Sequence, residues 1–372
     1  MRRLTLLAAT LLATLLGAPI ARAVDINEGQ LAIHGDGAWS LQRTSNKNTL
    51  LDATPDGNYN TATFNLLLTV RPTTELALNA YLEFEPNHVG LEWLFVEWRV
   101  SDRLRIRAGR VKQPIGNSGE LVYAGTTRPF YDLAASIYGP ANIAATSSLG
   151  IAATGAFSSD EGWTLGYDVY AGALKLSNLE TYRALEVPPP PGLGDPVVED
   201  RQQVKEIVGG RLSLTTPFEL TLRLSGFGGR LQKDETRKVT YLVGGLSAQY
   251  RVSRLLLDGE FFISDEVGIE KSLGTSLTAS WFFDDHWQVA ARIEGYECKV
   301  ASIPVGSPLL RHRETALALN YWVTPTLVVK ASVHRVVGNH FAFPDDATYQ
   351  SLVTTPPAQQ TTKFLVGVQF SF

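Results

Sequence analysis

The chain has 372 residues, 33 basic and 37 acidic, and its formal charge of -4 offers no electrostatic footing for a nucleic acid. Its single cysteine, Cys298, excludes an internal disulfide, so the fold must hold without one. No linker, charge block or shift in composition divides the chain, which reads as one continuous architecture.

The first 23 residues read as a secretory signal peptide. Arg2 and Arg3 precede an apolar run from Leu4 to Ile20, and Ala21-Arg22-Ala23 supplies a small-x-small cleavage site before Val24. Its removal takes three arginines away and leaves a mature charge of about -7. After Val24 no stretch approaches the ~20 apolar residues that a spanning helix needs. The mature chain, 24–372, is therefore expected to be exported without a helical span.

From there the pattern is period two. Alternating segments fall at 30–41, 61–71, 76–84, 91–100, 104–111, 149–157, 163–172 and 207–215. They continue at 220–228, 238–250, 255–264, 272–283, 286–298, 315–323, 327–335 and 362–372. That makes about sixteen strands, most of them near the ~10 residues with which a tilted strand crosses a bilayer. The connections alternate. Tight turns such as Pro72-Thr73-Thr74, Ser101-Asp102-Arg103, Asp284-Asp285 and Thr324-Pro325-Thr326 follow every even-numbered strand, and longer connections follow every odd-numbered one. An even count with short turns on one side and long loops on the other predicts an all-β fold, a transmembrane antiparallel β-barrel of 16 strands.

The two faces of the strands differ. In 272–283, Leu273, Thr275, Leu277, Ala279, Trp281 and Phe283 share one face against Gly274, Ser276, Thr278 and Ser280. Next, Trp287, Val289, Ala291 and Ile293 alternate with Gln288, Ala290, Arg292 and Glu294. An isolated charge in a dry core costs several kcal/mol, so the charged face is expected to be wet and to line a lumen. Trp98, Tyr250, Trp281, Phe283, Trp287 and Tyr321 lie near the short turns, where an aromatic girdle would meet a membrane interface.

The segment Phe95-Val-Glu-Trp-Arg-Val-Ser-Asp-Arg-Leu-Arg-Ile-Arg-Ala-Gly-Arg-Val-Lys-Gln-Pro-Ile-Gly116 resembles the strand, turn and strand before the third loop of the phosphate-selective-porin-like families of Gram-negative porins. The strand plan and the terminal Phe372 extend the likeness over the mature chain. The resemblance implies a sixteen-stranded outer-membrane barrel with periplasmic turns, extracellular loops and an inward-folded third loop, commonly a homotrimer. It implies outer-membrane lipid and lipopolysaccharide as surroundings, small hydrophilic solutes or anions as cargo, and no cofactor.

The third connection runs from Lys112 to about Ser148, long for a loop in a compact protein. It is expected to constrict the lumen, with Lys112, Glu120, Arg128, Tyr131 and Asp132 facing the passage. The inward phase on the strands gives the basic residues Arg71, Arg99, Arg105, Arg107, Arg211, Arg223, Arg251, Arg292, Lys330 and Lys363. Against them stand Asp36, Glu83, Glu97, Asp168, Asp258, Glu260 and Glu294. Ten against seven is a weak surplus in a wide lumen screened within ~8 Å, and it predicts a slight preference for anions. A dedicated phosphate or sugar channel is the alternative. For phosphate the arginines would need a shared face, yet Arg107 and Arg110 are three apart and are better placed to pair with Glu83 and Glu97.

Catalysis has little support. His34, Asp36 and Ser40 lie on one strand, as any wet face allows, and no Gly-x-Ser-x-Gly elbow or histidine cluster accompanies them. His334 and His340 are expected to be solvated. Four prolines at Pro188 through Pro191 stiffen a loop that would suit a surface receptor, but nothing identifies a ligand.

Overall fold

The structure is a computed structural model. It describes residues 24–26, 30–46, 56–59, 61–86, 88–119, 125–139, 143, 147–175, 203–232, 238–300, 307–338, 340–341 and 358–372. The signal peptide, Glu120 and the proline run lie outside the described residues. A three-residue strand, β1 (Val24–Ile26), precedes sixteen long ones. These are β2 (Leu31–Thr44), β3 (Thr63–Val70), β4 (Leu76–Glu85), β5 (His88–Ser101), β6 (Leu104–Lys112), β7 (Ser147–Ser158), β8 (Thr164–Lys175) and β9 (Gln203–Thr215). They continue as β10 (Leu220–Gln232), β11 (Lys238–Val252), β12 (Leu255–Glu266), β13 (Glu270–Phe282), β14 (Trp287–Val300), β15 (Arg311–Thr324), β16 (Leu327–Val337) and β17 (Gln360–Ser371).

Each long strand pairs antiparallel with the next, and β17 pairs with β2, closing the barrel. Closure leaves no open edge among the sixteen, and β1 adds a short pairing to the start of β2. At the seam, Gly35 and Phe372 exchange backbone hydrogen bonds of 3.0 and 2.9 Å. The Phe372 ring lies over Gly35 and the Phe370 ring over Gly37, where a Cβ would collide with either ring. Phe372 also stacks on Phe64 of β3, centroids 6.2 Å apart, so the chain end bridges the seam.

The outer face is apolar all round, with Leu94, Ile151, Leu212, Leu224, Leu246, Phe261, Leu277, Ile293, Leu317 and Val366 exposed. Such a belt wants lipid, and no helix among the described residues is long and apolar enough to span a bilayer in its place. Trp281 packs edge-on against Phe283 at 4.9 Å, and Trp287 lies 4.8 Å from Tyr321, near the short turns.

Two connections differ from the sequence pattern. The one between β4 and β5 is only 86–87, and that between β12 and β13 only 267–269, so the long side has tight turns of its own. The apolar alternation stops at the edge of the belt, but backbone pairing continues past it, from Glu85 to His88 and from Glu266 to Glu270. The inner face is also less wet than expected. In the long-loop half, Tyr81, Trp93, Phe95, Tyr170, Phe227, Tyr241 and Phe262 point inward and pack on the third connection through Ile115, Ile137 and Ile143. Inner apolar residues can form a core here because a loop supplies the other half.

Candidate functional site: the lumen and the loop within it

The segment after β6 leaves the wall at once. Lys112 Nζ sits 3.9 Å above the Trp93 ring, Gln113 donates to the Tyr170 hydroxyl at 3.1 Å, and Ile115 is wholly buried. Next comes a first anchor against β10–β12. The Gly116 N–H donates to Ser225 Oγ at 3.1 Å and the Asn117 N–H to Glu260 Oε1 at 2.6 Å. Asn117 Nδ2 reaches the Ala248 carbonyl and Asp258 Oδ2, while Arg223 donates to Asn117 Oδ1. Tyr138, at the end of the one-turn helix α1 (Ala135–Tyr138), donates to Glu260 Oε1 at 2.7 Å. Burial, with the neighbouring Glu260 carboxylate, keeps that phenol protonated well above the ordinary tyrosine range. Gly116 has φ of +61°, and a Cβ there would strike Tyr138 Oη, so the anchor depends on glycine.

A second anchor crosses β13–β17. Ser136 of α1 donates its N–H to Glu294 Oε2 at 3.3 Å, and its single hydroxyl proton is shared between Glu294 Oε2 at 3.1 Å and the Thr275 carbonyl at 2.9 Å. Arg292 donates to the Asp132 carbonyl and to Glu314 Oε1, both at 2.9 Å, with its guanidinium 4.6 Å over Phe130. Asn320 donates to the Pro129 carbonyl at 2.8 Å. Lys330 is almost completely buried and spends its ammonium protons on the carbonyls of Gly125, Arg128 and Phe130. Lys363 pairs directly with Asp132. Burial opposes ionisation of Asp132, but the Lys363 ammonium and His334 outweigh it and hold the carboxyl below its usual range.

The strand residues among these lie on the inner face, where the loop meets them. Arg223, Asp258, Glu260, Arg292, Glu294 and Lys330 bind the loop rather than line open water. Asp132 and Lys112 likewise do not simply face the passage, since one is paired with Lys363 and the other lies on Trp93. Arg128 and Tyr131 are half-buried between loop and wall, with the Tyr131 ring against Gly367.

Away from these anchors the charges of the wall pair with one another. Glu97 of β5 holds Arg107 at 2.7 Å and Arg105 at 3.8 Å, both on β6, and the Arg105 side chain stays 49% exposed. Arg211 of β9 pairs with Asp168 of β8 at 2.9 Å. Glu83 is half-buried on β4 opposite Asn65 of β3, and beyond Asn65 the β2 residue Asp36 receives hydrogen bonds from Asn65 and Tyr81. The expected sharing of the β6 arginines between Glu83 and Glu97 does not occur, because Glu97 takes both Arg105 and Arg107. Arg110 turns off that face, bonding to Ser147 Oγ, the Leu91 carbonyl and Glu92.

The inner charge tally also changes. Arg71 and Arg251 are exposed at the short-turn rim, while Glu266, Glu270 and Glu314 join the inner face. The surplus of basic side chains is not carried by the wall as a whole. Glu314 and His312 escape the sequence reading because the apolar alternation is plain only from 315 onward, whereas β15 begins at Arg311. Continuing the alternation back through His312 and Glu314 finds both. His334 and His340, expected in solvent, are buried, and His334 Nδ1 lies 2.8 Å from Glu314 Oε1.

No protein-family model matches the sequence, and no curated protein sequence matches it either. Solved structures do. OmpF of Salmonella typhi, in complex with daunomycin, superposes with a TM-score of 0.60 at 12% identity, covering 94% of this chain and 100% of that one. The fold is that of an outer-membrane porin. An anion-selective porin from Comamonas acidovorans matches with a TM-score of 0.56 at 13% identity, over 92% of this chain and 99% of its own. The outer-membrane channel DcaP of Acinetobacter baumannii gives 0.57 at 6% identity, over 95% of this chain and 100% of its own. At such identities the porin likeness speaks for architecture alone.

Proposed function

We propose that the chain is an outer-membrane porin through which small hydrophilic solutes and ions diffuse, without a catalytic step. The observation that carries this reading is the partly open charged group Glu97, Arg105 and Arg107 on the inner wall of a barrel whose outer belt is apolar. Short turns would face the periplasm, residues 1–23 would direct export, and three copies would associate. An OmpT structure from Vibrio cholerae described as a trimer form, which matches with a TM-score of 0.55 at 11% identity over 92% of this chain and 99% of its own, supports that last element. A slight preference for anions belongs to this reading, with the half-exposed Arg105 guanidinium beside the passage as its support. Arg110 faces elsewhere, which weighs against an arginine ladder for phosphate. Against catalysis, the Ser40 hydroxyl is engaged with Thr61, and Asp36 with Asn65 and Tyr81.

The test is planar-bilayer conductance of the purified mature chain in KCl, then with phosphate or small sugars added. Stable ohmic steps with weak anion preference are expected. Block by phosphate or by one sugar would replace general diffusion with a dedicated channel, and a folded barrel without steps would overturn the reading.

A further inference from the structure

The register of β14 and β15 sets Glu294 directly opposite Glu314, with both side chains inward and almost wholly buried. Like charges opposite one another on a sheet repel, and buried carboxylates need compensation. The hydrogen-bond partners present take only one oxygen of each. Glu314 Oε1 receives Arg292 at 2.9 Å and lies 2.8 Å from His334 Nδ1, while Glu294 Oε2 receives the N–H and Oγ of Ser136. Glu294 Oε1 and Glu314 Oε2 remain, with His312 Nε2 3.6 Å from the first and 3.9 Å from the second. Those separations are too long for hydrogen bonds. Glu294 Oε1 and His312 Nε2 are in fact buried with no hydrogen-bond partner, and the His312 side chain is only 1% exposed.

We propose that Glu294, His312 and Glu314 bind one divalent transition-metal ion of the zinc class. Their three ligand atoms lie within 4.8 Å of one another. Ligands each about 2.0–2.2 Å from one zinc ion stand roughly 3–4 Å apart, so a small inward movement of these side chains would gather them on one ion. One imidazole and two carboxylates are a zinc-competent donor set, and they leave a coordination position for water. Arg292 offsets one of the two carboxylates; it also lies 3.9 Å from Glu294 Oε1, so the ion must approach from the His312 side. Outer partners are in place, Ser136 and His334 each holding the second oxygen of a ligand carboxylate. Because Ser136 belongs to α1, the ion would tie the inserted loop to β14 and β15.

The test uses the untagged full mature chain in detergent, stripped with chelator and titrated with zinc chloride alone, followed by calorimetry and metal analysis. One zinc per chain is expected, with at least about tenfold weaker binding in His312→Asn and in Glu294→Gln and no change in His286→Asn, a turn residue. Glu294→Gln keeps an acceptor for Ser136, so it serves if His312→Asn loses the heat-modifiable folded form. Cobalt substitution gives a separate readout, with visible bands expected and no thiolate charge-transfer band. Such a band would place the metal at Cys298 and overturn the assignment. Absence of saturable zinc binding, or equal binding in the variants, would also overturn it.

Discussion

The wall from β10 to β17 and the wall from β4 to β9 carry the same kinds of charged side chain and use them differently. Under the loop, Lys330, Arg292 and Glu260 each satisfy backbone groups of a crossing segment and are almost fully buried. Across the lumen, Arg105, Arg107 and Glu97 pair among themselves and keep contact with solvent. The difference lies in what stands opposite. A charged side chain in a barrel becomes structural where a loop offers it carbonyls and N–H groups, and can stay open to solvent, as Arg105 does, where it pairs within the wall.

Deleting residues 117–135 should do most to erase that contrast. It removes Asn117 from the first anchor and Pro129 to Asp132 from the second, so single-channel conductance should rise severalfold in a barrel that still shows heat-modifiable migration. Unchanged conductance in such a barrel would mean that the loop does not set the passage. Lys330→Met should come next. It leaves loop carbonyls without their buried donor, at about 1–3 kcal/mol for each unsatisfied group, and should lower the unfolding temperature and make the current noisier. Equal stability of this variant and wild type would remove the anchor from the account. Arg105→Met with Arg107→Met should act oppositely, with little change in stability, since partly exposed pairs contribute ~0–1 kcal/mol, but with the reversal potential moved toward cations. A reversal potential that stays put would separate these arginines from selectivity.

The smallest effect is expected from acid. The Asp132 carboxyl is held below its ordinary value of 3.8, so its pairing stabilises the folded loop above that pH and is lost as pH falls through the lower folded value. This pair's contribution to holding the loop should therefore persist down to 3.8 and be lost only below it, and Asp132→Asn should remove that low-pH step in conductance. A low-pH step that survives in Asp132→Asn would place it at another carboxyl.

All sixteen long strands are legible in the sequence because lipid on one side and lumen on the other impose period two. Phe364, Val366 and Phe370 on β17 alternate with the inward Lys363, Leu365 and Gln369 as the sequence alone suggests. Strand ends are less legible, because His88 and Glu270 pair beyond the apolar belt that announces a strand. The loop's path is hidden for another reason. Its partners are backbone carbonyls and N–H groups, which nearly every residue has, so nothing in Arg128-Pro-Phe-Tyr-Asp names Lys330 as its mate. Two inward glycines do leave a trace. A Cβ at Gly274 would meet the Ser136 carbonyl, and one at Gly367 would meet the Tyr131 ring. Small residues on a wall that otherwise carries longer side chains mark where another segment passes.

The seam between β17 and β2 joins strands that lie nearly the whole chain apart in sequence. Every other strand pairing of the ring is between neighbours in the chain and can form as a local hairpin or sheet. The last pairing closes the barrel only once both end strands are present. A chain missing β17 would expose the backbone edges of β16 and β2 together, and neither could be satisfied in lipid. The seam thus acts as a check on completeness. An unfinished barrel should therefore keep an open edge competent to pair, and lose it only when β17 meets β2.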